Sequence, residues 1–153
     1  MTKVLLDTHV FLWVLDDPVR IPRRWLEFFD SPRTELFLSA ASAWEIAIKC
    51  QLKKLRLPLA PVDYLRTRCA ALGIESIPIT FAHASAIVSL PPHHRDPFDR
   101  MLVAQAFVDD LTLASLDPVF SRYDVRRLSM TSPLIHATKA GAKRTRTRTR
   151  RVS

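Results

Sequence analysis

Short apolar runs of strand length alternate along this chain with longer segments of helical repeat, the rhythm of a parallel sheet covered by helices. Residues 3–7, built on Val4-Leu5-Leu6, read as a first strand, and Thr8 to Leu15 as a short helix after it. Pro22 to Phe29 makes a second helix with Trp25, Leu26 and Phe29 as its stripe. Leu36-Phe37-Leu38 is the second strand. Ser39 caps a helix running to about Leu52, on which Ala40, Ala43, Trp44, Ala47 and Ile48 share the apolar face.

Pro58 and Pro61 mark a loop, residues 62–72 a helix closed by Gly73, and Ile77 with Ile79 a short strand. Thr80 starts a helix to Leu90, stopped by Pro91 and Pro92. Asp96, Pro97 and Asp99 supply an N-cap, a first-turn proline and a first-turn acid for a helix to Val108. Thr112 to Leu116 is a strand, Val119 to Tyr123 a brief helix, and Val125 to Met130 a final edge strand. Beyond Pro133 the periodicity is lost.

A length of 153 residues with 48% apolar content supports one domain with its own core. The formal charge of +8 changes meaning once it is divided. Residues 137–153 hold seven basic residues (Lys139, Lys143, Arg144, Arg146, Arg148, Arg150 and Arg151) and no acid, so subtracting those seven leaves about +1 for the rest. The run from Lys143 to Arg151 repeats Arg-Thr without an apolar face and is expected to be disordered when free. Cys50 and Cys69 have no ligand-spaced companions and read as free, buried thiols. No leader and no membrane-length apolar run is found, so a cytoplasmic location without membrane attachment is expected.

Four acids stand where strands end or helices begin: Asp7, Glu45, Asp99 and Asp117. An open parallel sheet binds ligands beyond the carboxyl ends of its strands, where these side chains would meet. Clustered carboxylates repel one another unless a cation neutralises them, and oxygen ligands without thiols or paired imidazoles suit Mg2+ or Mn2+. Such ions activate water and stabilise charge on a phosphate, so phosphodiester hydrolysis is the natural reaction. In that reading Asp7 and Asp99 are the principal ligands, Glu45 acts through water or orients the nucleophile, and Asp117 completes the shell.

Each acid also has a purely structural reading. Asp7 can cap the next helix, Glu45 can pair with Lys49 on a solvated face, and Asp117 can open the turn Asp117-Pro118. Asp96 is explained fully as a cap, which leaves Asp99 as the better ligand. Thr8 and Ser115 offer hydroxyls beside the proposed ligands. Arg100 either meets the scissile phosphate or solvates its helix, and His93-His94 reads as a surface turn outside any metal shell.

The segments Val4-Leu-Leu-Asp-Thr-His9, Ser39-Ala-Ala-Ser-Ala-Trp-Glu-Ile-Ala-Ile-Lys49, His94-Arg-Asp-Pro-Phe-Asp-Arg-Met-Leu-Val-Ala-Gln-Ala106 and Leu113-Ala-Ser-Leu-Asp-Pro-Val-Phe120 together resemble the PIN domain, and more narrowly the VapC-type toxin ribonucleases of toxin–antitoxin pairs. The likeness covers about residues 3 to 130 in order. It implies an α/β/α sandwich around a five-stranded parallel sheet, with a PIN domain in residues 1–132 and a basic tail in 133–153. It also implies an endoribonuclease dependent on Mg2+ or Mn2+, a homodimer, and a cognate antitoxin that covers the acidic pocket. The family's acids fall on Asp7, Glu45, Asp99 and Asp117, and Ser115 stands where the family often carries Thr.

Rivals explain less. A phosphatase with an aspartyl nucleophile needs a second Asp two residues after the first, where this chain has His9, and a receiver domain fails for want of its acidic pair. The stronger alternatives are a PIN-like scaffold that holds RNA without cutting it, bound through Lys and Arg in a salt-sensitive way, and an RNA-processing nuclease outside a toxin system.

Overall fold

The structure is a computed structural model that describes residues 1–131 and 134–137. Its strands are Thr2–Leu6 (β1), Thr34–Ser39 (β2), Ile74–Ile77 (β3), Thr112–Ala114 (β4), Arg127–Leu128 (β5) and Ile135–His136 (β6). Its α-helices are Thr8–Asp16 (α1), Arg23–Phe29 (α2), Ala40–Gln51 (α3), Pro61–Leu72 (α4), Phe81–Ala86 (α5) and Pro97–Val108 (α6). The sheet order is β3-β2-β1-β4-β5-β6. The first five strands in that order are parallel, as expected, and β6 adds antiparallel to β5 through Arg127↔His136 and Leu128↔Ile135.

The sheet therefore has six strands where five were expected. The strand expected at the edge, Val125 to Met130, shrinks to Arg127–Leu128 and lies between two neighbours. A two-residue pairing such as β6 is too short to leave a period in the sequence. The basic run after residue 137, expected to be disordered, lies outside the described residues.

Burial on both faces makes this a three-layer molecule. Val4 and Leu6 pack with Val10, Phe11, Trp25, Ile46 and Tyr64 on one side of the sheet. Leu5, between them in sequence, packs with Leu102, Val103, Ala106 and Leu113 on the other. A central parallel strand buried on both faces is apolar without alternation, which is why Val4-Leu5-Leu6 reads as a run. Trp25 donates from Nε1 to the Ser129 carbonyl at 2.8 Å and so ties α2 to the chain beyond β5.

Local signals set the helix ends. Ser39 Oγ accepts from the Ala41 N–H at 2.9 Å to start α3. Gly73, at φ 62°, takes the left-handed position that closes α4. Thr80 and His83 cap α5 reciprocally. Asp96 Oδ1 accepts from the Phe98 and Asp99 N–H groups at 2.8 and 3.4 Å, so the expected cap of α6 is present.

The predicted apolar face of α3 is out of phase. Ala41, Ser42, Glu45 and Ile46 are the buried positions, whereas Trp44 is 59% exposed and Ala40 and Ala47 face solvent. The helix buries Ser42 and Glu45 because Thr8 and Lys49 satisfy them.

Candidate active site

The sheet order reverses direction at β1, since the chain lays β2 and β3 on one side of it and later β4 on the other. That reversal opens a crevice beyond the carboxyl ends of β1 and β4, the place where such sheets hold ligands. Asp7 follows β1 directly, and Ser115 and Asp117 follow β4.

Asp7 occupies the N-cap position of α1, yet its side chain makes no capping bond. It is 5% exposed, and its Oδ2 accepts from Ser115 Oγ at 2.7 Å. Its backbone N–H donates to the Ala114 carbonyl at 3.0 Å. The cap reading of Asp7 therefore fails, and the carboxylate is left directed across the crevice. Burial pushes its pKa up, Ser115 works against that rise, and the nearby Glu45 charge adds to it.

Glu45 is brought to the same crevice by two contacts. Thr8 donates from Oγ1 to Ser42 Oγ at 2.9 Å, locking the start of α1 to α3 one turn before Glu45. Trp44 and Phe98 meet edge to face with centroids 5.1 Å apart, setting α3 beside the first turn of α6. Glu45 does pair with Lys49, at 2.7 Å, but it is 8% exposed and the pair is not on a solvated face.

Asp99 lies in that first turn of α6, and its pKa is raised to about 7. Burial is the largest cause, followed by the charges of Asp96 and Asp7; Glu45 contributes in the same direction, and His94 opposes it. The charges of Asp7 and Glu45 thus both act on Asp99, and that of Glu45 on Asp7, across three separate elements.

Asp117 is fixed on every side. Its Oδ1 accepts from the Val119 N–H at 2.9 Å, starting a 3-10 helix, and its own N–H donates to Ser115 Oγ at 3.1 Å. Its Oδ2 lies 3.0 Å from His94 Nε2. The turn reading of Asp117 is met by Oδ1, while Oδ2 faces the His94 ring.

His94 corrects the expectation of a surface turn. Its side chain is 7% exposed, its ring is stacked on Tyr123 at 5.5 Å with an 8° interplanar angle, and Phe120 lies 4.4 Å away. The Tyr123 hydroxyl accepts from the His94 backbone N–H at 3.0 Å and lies 3.1 Å from Nδ1. In the tautomer that satisfies every contact, Nδ1 accepts from the Tyr123 hydroxyl and the Nε2–H donates to Asp117. The ligand atoms of His94, Asp99 and Asp117 lie within 4.8 Å of one another, a group able to hold a metal ion. Nothing local foretold this, because the partners of His94 lie 23 and 29 residues further on.

Arg100 takes neither of its expected roles. Its guanidinium donates to the carbonyls of Pro91, Ile87 and Leu90 at 2.9, 3.2 and 3.4 Å, which clamps the proline-rich loop onto α6. Cys50 and Cys69 are free and half-buried.

The donor set suits a hard divalent cation. Carboxylates dominate it, and burial together with the charges of Asp96, Asp7 and Glu45 raises the carboxyl of Asp99 to about 7.

The PIN domain family model matches residues 4–126. The chain belongs to the PIN domain family. This PIN domain is 29% identical over 118 residues to Ribonuclease VapC22 of Mycobacterium tuberculosis, covering 76% of this chain and 88% of that protein. Its fold is shared with VapBC2 from Rickettsia felis, bound to a DNA fragment from its promoter, at a TM-score of 0.61 and 13% identity over 79% of this chain and 92% of that one. DNA-bound VapBC from Salmonella typhimurium matches at 0.57 and 18% over 80% and 92%. FitAcB from Neisseria gonorrhoeae matches at 0.55 and 21% over 82% and 96%. Among the described residues of this PIN domain, no helix is long and apolar enough to cross a membrane.

Proposed function

We propose that this PIN domain is an endoribonuclease dependent on Mg2+ or Mn2+, acting in the cytoplasm as the toxin of a toxin–antitoxin pair. The observation that carries the reading is the convergence of Asp7, Glu45 and Asp99 from three elements onto one crevice, with Asp99 raised to about 7 by burial and by its acidic neighbours. Likeness to Ribonuclease VapC22 supports RNA as the substrate, and the VapBC structures that share the fold support an antitoxin partner, while the homodimer is carried over from the family resemblance alone.

Asp7 and Asp99 would be the principal ligands, Asp117 would complete the shell, and Glu45 would bind through water or orient the nucleophile. A bound cation would lower the pKa of water and neutralise charge on the phosphate as attack proceeds. The chain's own contribution is preorganisation: Ser115 holds Asp7, Lys49 holds Glu45, and His94 with the Val119 N–H holds Asp117. An acidic pocket of this kind is complementary to an arginine-bearing antitoxin segment, which would block it.

The test is cleavage of a mixed structured-RNA pool by purified protein in Mg2+, Mn2+ or chelator, beside Asp7→Asn prepared identically. Metal-dependent cutting that the variant loses supports the reading. Salt-sensitive RNA binding without cutting by either protein would favour the non-catalytic scaffold.

A further inference from the structure

The crevice does not end at Asp117. A cavity of about 440 Å³ runs from Ser115 and Asp117 to Ser121, Arg127 and His136. A second, of about 360 Å³, shares Ser121, Arg127 and His136 with the first and continues to Arg122, Asp124 and Ala137. The two form one notch of mixed polar and apolar lining that leads away from Asp117 along the β5–β6 edge.

The wall of this notch carries basic side chains on paired strands. Arg127 sits on β5, which pairs with β4 on one side and β6 on the other, and His136 is its direct partner on β6. Arg122 ends the 3-10 helix that Asp117 caps. Among the described residues neither Arg122 nor Arg127 has a carboxylate partner, although Arg126, their neighbour in sequence, pairs with Asp110. Asp124 is the one acid of the outer cavity, and Asp117 of the inner one is already bonded to His94 and the Val119 N–H. The sequence that follows Ala137, at the outer lip, carries seven further basic residues and no acid.

We propose that this notch is a binding site for a backbone phosphate of the RNA strand, adjacent to the phosphate that is cut. The inference rests on the ribonuclease reading above. An acidic crevice accepts one phosphate only through a cation, whereas the next phosphates along the strand need protein cations, and Arg127 offers one at the end of the same channel. The hydroxyl of Ser121 and the imidazole of His136 add hydrogen-bonding capacity on either side. Contacts of this type fix register without reading sequence.

The experiment is fluorescence anisotropy of a short labelled single-stranded RNA in chelator across a salt series, for wild type, Arg127→Ala, Arg127→Lys and Arg122→Ala. Arg127→Ala should weaken binding by up to about fivefold at low salt and flatten the slope of log affinity against log salt by about 0.7, the value of one single-strand phosphate contact. Arg127→Lys should restore the slope. Arg122→Ala, on an exposed side chain that cannot unseat the fold, should shift binding in the same direction. In Mn2+, Arg127→Ala should raise KM and leave kcat and Mn2+ affinity unchanged. Wild-type affinity and slope in Arg127→Ala, with cleavage intact in the parent, would overturn the notch and leave the ribonuclease reading standing. Absence of RNA binding by the parent in chelator would also overturn the notch, and absence of cleavage in Mn2+ would separately overturn the ribonuclease reading.

Discussion

Ser115 Oγ donates to Asp7 Oδ2 at 2.7 Å across 108 residues of sequence, joining the ends of β1 and β4 at the crevice between them. The same oxygen accepts from the Asp117 N–H, so one small hydroxyl sets two of the four acids. Ser115→Ala should lower Mn2+ affinity and cleavage by about 10- to 100-fold, as loss of an outer-shell partner does, while Ser115→Thr keeps the hydroxyl and most of the activity. Titration of Mn2+ into both variants checks this; an alanine variant equal to wild type would show that Asp7 needs no support.

Asp99→Asn should abolish cleavage, by more than about 100-fold, since a first ligand costs more than its supports. It should also stabilise the metal-free protein at neutral pH. A carboxyl whose folded-state pKa is raised from 3.8 to about 7 favours folding while protonated, so that contribution is complete below 3.8 and is lost as pH rises through about 7. In chelator, Asp99→Asn should therefore melt a few degrees above wild type at pH 8, and the gap should narrow on going to pH 5. Thermal melts at the two values decide it. A constant gap would mean that Asp99 is not the group repelled.

Asp96→Ala should cost about 0.5–2 kcal/mol of stability through the lost cap of α6, measured by denaturant unfolding. Removing its charge should also lower the pKa of Asp99, because Asp96 is the largest charge acting on it after burial. Cleavage per folded molecule should survive, with its pH profile moved to lower pH. Lost activity at unchanged stability would make Asp96 a ligand and not a cap.

Arg100→Ala should destabilise the fold by about 1–3 kcal/mol, since three loop carbonyls lose a charged donor. The salt dependence of RNA binding should stay as in wild type, as the guanidinium is committed to the backbone. A flatter salt slope in this variant would return Arg100 to the phosphate.

What could be read from sequence was local. The Asp96-Pro97 start of α6, the Ser39 cap and the Gly73 stop each depend on neighbours within a turn, and all three are present. On α3 the repeat was legible but its phase was not: Ala40, Ala43, Trp44 and Ala47 make a convincing stripe, yet the fold buries Ser42 and Glu45 because Thr8 and Lys49 satisfy them. His94 was misread for the opposite reason, since its surroundings of Asp117, Phe120 and Tyr123 are assembled only by tertiary folding. The acids themselves were legible as strand-end and helix-start positions, and their mutual repulsion required coordinates.

The claim on which everything else depends is that these carboxylates hold a divalent cation that displaces protons. Calorimetric titration of Mn2+ at pH 6.5, in two buffers of different ionisation enthalpy, measures affinity and proton release together for wild type and Asp99→Asn. The account predicts binding by wild type with proton release, and weaker binding without that release in the variant. Equal binding by both proteins, or none by wild type, would contradict it.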